Sequence, residues 1–137
     1  MPGYLLDTNI LSDLVHHPRS GMAARQLALV RGYGGEDIST SIIAAAELRY
    51  GVTKRGSKRL ARQVETVLGA LDVLPFEAPA DVIYGRLRTD LERHGQPMGG
   101  NDLLIAAHAL AAQLTLVTDD RGFARISELL RENWLAG

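Results

Sequence analysis

The sequence contains no cysteine, which excludes disulfides and thiolate metal sites and is compatible with a reducing cytosol. It contains no apolar run near the roughly 18 residues of a membrane span. Its N-terminus lacks the basic-then-apolar layout of an export signal. These absences lead us to expect a cytoplasmic protein that makes no use of a membrane. Net charge is also nearly lacking, at −1, so no global field steers the chain towards nucleic acid. There is no low-complexity tract, linker or internal repeat. What is present is ordinarily globular: 137 residues, 46% hydrophobic and 23% charged. That is one domain over 1–137, long enough to bury about two-thirds of its unfolded surface.

The charge is unevenly spread. Between Glu47 and Glu65 lie Arg49, Lys54, Arg55, Lys58, Arg59 and Arg62, with no acid among them. Such a stretch is either a solvated helix surface or a patch that contacts phosphates.

Helical patterns alternate with short β-like runs. Residues 4–7 read as a strand, followed by a helix over 9–16 that Pro18 ends. A second helix over 21–30 is broken by the glycines of 32–35. Residues 37–41 form a second strand, followed by a small-residue helix, IIAAAELRYGV. After Gly56 and Ser57, Leu60, Val64, Val67, Leu68 and Leu71 recur at helical spacing. Residues 72–76 suit a third strand, pushed towards a sheet edge by Pro75. Pro79 opens a helix that runs to His94. After GQPMGG come a helix, NDLLIAAHALAAQ, a strand, LTLVT, the segment DDRGF, and a tail with a short helix and a last strand near Trp134. Strands separated by helices imply parallel pairing through right-handed crossovers. The expected fold is α/β: a three-layer α/β/α sandwich around a mostly parallel sheet of four to five strands.

Ligands bind outside the carboxyl ends of the strands in an open parallel sheet, which makes the positions of the acids informative. Asp7 ends the first strand, and Asp119 and Asp120 follow LTLVT directly. Glu47 lies one to two turns into the helix that leaves the second strand. Asp102 falls in the first turn of the helix opened by Gly99, Gly100 and Asn101. Each has an ordinary explanation. Asp7 can cap a helix, Asp102 can answer a helix dipole, and Asp119 and Asp120 can be turn residues. Glu47 is harder to dismiss, because Ile42, Ile43, Ala44, Ala45, Ala46 and Leu48 surround it and an unpartnered buried carboxylate is costly. Asp102, ahead of LLIAAHALAA, poses the same difficulty.

Carboxylates that converge at one sheet edge raise each other's pKa unless a cation intervenes. An oxygen-only set, with neither Cys nor an obvious His partner, favours Mg²⁺ or Mn²⁺ over zinc. Such clusters activate water and stabilise charge on a transferring phosphate, so the natural chemistry is metal-assisted phosphodiester hydrolysis.

The blocks LLDTNILSDL, TSIIAAAELRYGV, GGNDLLIAAHAL, TLVTDDRGF and ENWL occur in this order. Together they resemble the PIN-domain ribonucleases, and most closely the VapC-like toxins of bacterial toxin–antitoxin pairs. The resemblance implies that Asp7, Glu47 and Asp102 hold Mg²⁺ or Mn²⁺ and direct endonucleolytic RNA cleavage. The family pattern of Thr, any residue, then Asp or Asn gives Asp120 as the fourth ligand, leaving Asp119 as its outer neighbour. Gly122 stands where family members often carry an acid. Thr8, Asn9, Ser41 and Thr118 are then expected to support the acids or a metal-bound water. Asn101 is expected to be a helix cap, His108 a core or surface histidine, and His16, His17 and His94 surface residues. Tyr50 and the apolar stripe over 60–71 read as core or dimer packing.

Arg49, Lys54, Arg55, Lys58 and Arg59 are the candidates to hold flanking phosphates. The resemblance further implies a VapB-like antitoxin that blocks the acidic site, a homodimer, and products with a 5′-phosphate and a 3′-hydroxyl. Other Mg²⁺-dependent phosphotransfer domains fit less well: position 9 is Asn rather than a second Asp, and no Lys follows the late strand. A non-catalytic domain that binds RNA or protein is the remaining alternative.

Overall fold

A computed structural model describes residues 3–32 and 37–136. The chain enters on β1 (Tyr4–Leu6) and turns at once into α1 (Thr8–His16), followed by α2 (Met22–Gly32). Then come β2 (Ile38–Ser41), α3 (Ile42–Arg55), α4 (Lys58–Gly69), β3 (Asp72–Leu74), α5 (Ala80–Arg93), α6 (Gly100–Ala112), β4 (Thr115–Val117) and β5 (Arg131–Glu132). A 3₁₀ turn, Arg121–Arg125, links the last two strands.

The five strands lie in the order β3-β2-β1-β4-β5 and every pair is parallel. Leu6 stands opposite Thr40 on one side and Val117 on the other, so β1 is the centre of the sheet. From β1 the chain builds outward first through β2 and β3, then on the opposite flank through β4 and β5. The crevice between β1 and β4 is therefore the switch point at which ligands bind in such sheets. Both faces are covered: α1 contacts α2, α3 and α4, α3 contacts α4, and α5 lies along α6.

Local chemistry accounts for these elements. Leu5, Leu6, Leu116 and Val117 have no exposed surface, as expected for strands buried on both faces. Thr40 is equally buried, and its hydroxyl is satisfied by donating to the Leu6 carbonyl at 2.7 Å. Ser41 is at once the last residue of β2 and the cap of α3, accepting from the Ile43 amide. Gly56 ends α3 at φ 70°, a left-handed position that suits glycine, and Ser57 caps α4 by accepting from the Leu60 amide. Trp134 is buried edge-on to Tyr4 at 5.3 Å and donates from Nε1 to Glu132.

Several boundaries differ from expectation. The second helix continues through Gly32, and the rest of the expected glycine break, residues 33–35, lies outside the described residues. The third strand stops at Leu74, one residue before Pro75, at a sheet edge as that proline suggests. The short helix expected in the tail is instead the 3₁₀ turn Arg121–Arg125, which begins within DDRGF and carries the buried Phe123. Among the described residues, no helix is long and apolar enough to cross a membrane.

Candidate active site

Asp7 is the centre of the site. The residue is 4% exposed, and its carboxylate accepts from the Thr8 amide (2.8 Å), the Thr118 hydroxyl (2.8 Å) and the Asn9 side-chain amide (3.3 Å). Burial above all pushes its pKa up, against the lowering effect of the Thr118 and Thr8 hydrogen bonds. The charges of Asp102 and Glu47 add to the rise, and the result is a pKa of about 6. The Thr118 hydroxyl also accepts from Asn9 Nδ2 (3.2 Å) and from the Asp120 amide (3.1 Å), while Asn9 Oδ1 accepts from the Asp119 amide (3.4 Å). One compact network thus ties the start of α1 to the exit of β4.

Glu47 reaches the same region from the second turn of α3. Its Oε1 accepts from the Thr8 hydroxyl at 2.9 Å and its Oε2 from Asn101 Nδ2 at 3.2 Å. Asp102, in the first turn of α6, has its pKa raised by burial first, then by the charges of Asp120 and Glu47. Asp120 caps the 3₁₀ turn by accepting from the Gly122 amide at 2.8 Å. Four carboxylates from four segments therefore act on one another electrostatically. Among the described residues, no three acidic or histidine side chains are already drawn to ion-holding distance. The donor chemistry still fits a hard divalent cation: the donors are carboxylates only, they repel each other, and the central one is costly to ionise without a counter-charge.

Two expectations about polar neighbours need correction. Asn101 does not cap α6. Gly99 holds the cap position, and Asn101, one residue inside the helix, bridges to Glu47. Ser41 does not turn to the acids; its hydroxyl is committed to the Ile43 amide and to His108 Nδ1 at 2.8 Å. His108 belongs to the core, 4% exposed and edge-on to Phe76, with its pKa lowered by burial. Sequence reasoning missed the Asn101–Glu47 bridge, and the adjacency of Asn101 to Asp102 was the available signal.

The basic candidates separate into groups. Arg49 is held in a two-point ion pair with Glu65 of α4 (2.8 and 3.1 Å), and Lys54 Nζ lies 5.8 Å from the centre of the Tyr50 ring. Lys58 and Arg59 are exposed at the start of α4, with Arg59 3.5 Å from Gln63. Arg55 lines a groove together with Thr8, Ser12, His16 and Glu47, and so shares a surface with one of the acids, Glu47.

The family model for the PIN domain matches residues 4–129. The chain is 40% identical over 134 residues to the protein named Ribonuclease VapC2 from Rickettsia felis, covering 96% of this chain and 97% of that one. It is 32% identical over 133 residues to the tRNA(fMet)-specific endonuclease VapC of Shigella flexneri, with the same coverage. Among solved structures, VapBC2 from Rickettsia felis bound to a DNA fragment from its promoter matches with a TM-score of 0.86 at 39% identity. That match covers 96% of this chain and 98% of the other.

Proposed function

Since the chain belongs to the PIN-domain family of VapC ribonucleases, we propose that it is a divalent-metal-dependent endoribonuclease and the toxin of a toxin–antitoxin pair. The observation that carries this reading is the mutual electrostatic strain of Asp7, Glu47, Asp102 and Asp120 around the buried Asp7 carboxylate at the β1–β4 crevice. These four residues hold Mg²⁺ or Mn²⁺. When bound, such an ion supplies water of lowered pKa and offsets charge on the transferring phosphate.

The protein's own side chains supply the positioning. Thr118 and Asn9 fix the Asp7 carboxylate, and Thr8 and Asn101 clamp the two oxygens of Glu47. Asp119, exposed beside Asp120, remains an outer neighbour. Arg55 meets an RNA phosphate next to Glu47, with Lys54, Lys58, Arg59 and the paired Arg49 on the same helical hairpin. Water attacks phosphorus in line and the 3′-oxygen leaves, giving a 5′-phosphate and a 3′-hydroxyl. The relative from Shigella flexneri, named for tRNA, makes a folded RNA the substrate class of choice.

The test is cleavage of bulk bacterial tRNA by the purified chain, titrated with Mg²⁺ or Mn²⁺ and blanked with EDTA. Cleavage should require the metal and disappear in Asp102→Asn. Undiminished cleavage in EDTA, or in that variant, overturns the reading. Asn101→Ala should fold normally, since the residue is exposed, yet raise the metal concentration needed for half-maximal activity about ten-fold, the usual cost of losing a partner that orients a ligand. A metal requirement identical to wild type would remove Asn101 from the clamp. A VapB-like antitoxin is the partner, as in the VapBC2 complex of the Rickettsia relative. The free chain is a homodimer, and a purely monomeric mass at micromolar concentration would overturn that part.

A further inference from the structure

A second cleft adjoins the acids on the side away from Arg55. Thr118, Asp119, Asp120, Arg121, Arg131 and Glu132 line it, so it shares with the active site the residues that leave β4. Its two arginines come from different elements, Arg121 from the 3₁₀ turn and Arg131 from the edge strand β5. Five arginines elsewhere are engaged: Arg49 with Glu65, Arg86 with Glu128, Arg88 with Glu92, and Arg31 and Arg125 with backbone carbonyls. Arg121 and Arg131 form no ion pair or side-chain hydrogen bond among the described residues, although three carboxylates line the same cleft. The guanidiniums therefore keep their planar donor forks open beside Asp120. Glu47 and Arg55 line the other groove, on α3, which leaves β2 on the far flank of β1 from β4 and β5.

We infer that Arg121 and Arg131 form a second phosphate-binding subsite, so that the RNA backbone crosses the acids between Arg55 on one side and this pair on the other. The inference rests on the proposed nuclease reading. Phosphates on both sides of the scissile bond would then be held by cations while the acids face the bond itself. Two-sided anchoring fixes the register of the strand without reading its bases.

The test is the double variant Arg121→Ala/Arg131→Ala. Both residues are exposed, so its melting temperature should match wild type. With bulk tRNA as substrate, kcat/KM should fall about ten-fold, carried by KM. In an Asp7→Asn background that cannot cut, the slope of log Kd for tRNA against log salt should drop by about 1.4, or roughly 0.7 for each phosphate no longer neutralised. The Arg121→Lys/Arg131→Lys pair should recover most of that slope, because the charges are kept. Arg25→Ala, exposed on α2 in a separate groove with Ala28 and Leu29, should change neither quantity. Unchanged KM and salt slope in the double alanine variant, with a wild type that cuts tRNA, overturns the subsite alone. Normal RNA binding with weakened inhibition by a VapB-like antitoxin also overturns it, and assigns the arginines to protein contact. A wild type that neither cuts nor binds tRNA overturns the nuclease reading instead.

Discussion

Asp7→Asn should lose RNA cleavage by roughly a thousand-fold, about 4 kcal/mol of transition-state stabilisation, and yet melt at a higher temperature than wild type when divalent ions are absent. The two halves of this result have one cause. Asp7 is buried, and its pKa stands near 6 against an ordinary 3.8. A group whose pKa is raised in the folded state contributes stability below its unfolded pKa, and that contribution is lost as pH rises through the folded value. At pH 7.5 the metal-free wild type therefore carries an ionisation cost of about 3 kcal/mol, at 1.36 kcal/mol per unit. Asparagine carries no such cost, but it disturbs the bonds from Thr118 and Asn9, worth about 1 kcal/mol together. The net gain of about 2 kcal/mol is several degrees in melting temperature. It should fade between pH 6 and pH 4, where wild-type Asp7 takes up its proton.

Adding Mg²⁺ or Mn²⁺ should reverse the order, because an ion that binds only the folded wild type stabilises it by mass action. Thermal melts at pH 4, 5, 6 and 7.5, with EDTA and with metal, measure all of this. An Asp7→Asn protein less stable than wild type at pH 7.5 in EDTA would show that the site does not hold its carboxylate under strain.

The second large effect is expected from Phe123→Ala. Phe123 heads the fully buried side chains by volume and sits in the 3₁₀ turn three residues after Asp120. Truncation should cost about 3–5 kcal/mol through lost transfer energy and the cavity left behind. That is a large share of the roughly 5–15 kcal/mol that holds a domain together. Urea unfolding should show the midpoint falling with little change in slope. A loss below about 1 kcal/mol would mean that the turn is not anchored by this ring. Phe123→Leu, which keeps most of the volume, should lose much less.

Much of the architecture was legible because strands and acids share one logic. Apolar runs that end on carboxylates mark strand ends, and the parallel sheet gathers those ends along one edge. Helix order and a mostly parallel sheet of four to five strands follow from that pattern, and the sheet has five strands, every pair parallel. The partners of polar side chains were less legible, since they depend on angles between elements. Ser41 looked free to face the acids, but β2 runs into α3 without a connecting residue, which commits its hydroxyl to the helix start and to His108. Asn101 had the composition of a cap, but Gly99 takes that place and turns Asn101 towards Glu47. The acid-free basic run was real in sequence, yet Glu65 just beyond it folds back along α4 to neutralise Arg49. Sequence distance hid an ion pair that a helical hairpin makes immediate.

The strand order has a consequence for the ribosome. β1 is the first strand made, but its neighbour β4 arrives more than a hundred residues later. Until residues 115–120 have left the exit tunnel, Asp7 lacks Thr118 to hold it and Asp120 cannot join the other acids. A nascent chain that stops short of residue 120 therefore cannot gather Asp7, Glu47, Asp102 and Asp120 at one sheet edge. The topology thus makes the gathering of the acids wait on β4, the late strand beside which β1 must lie.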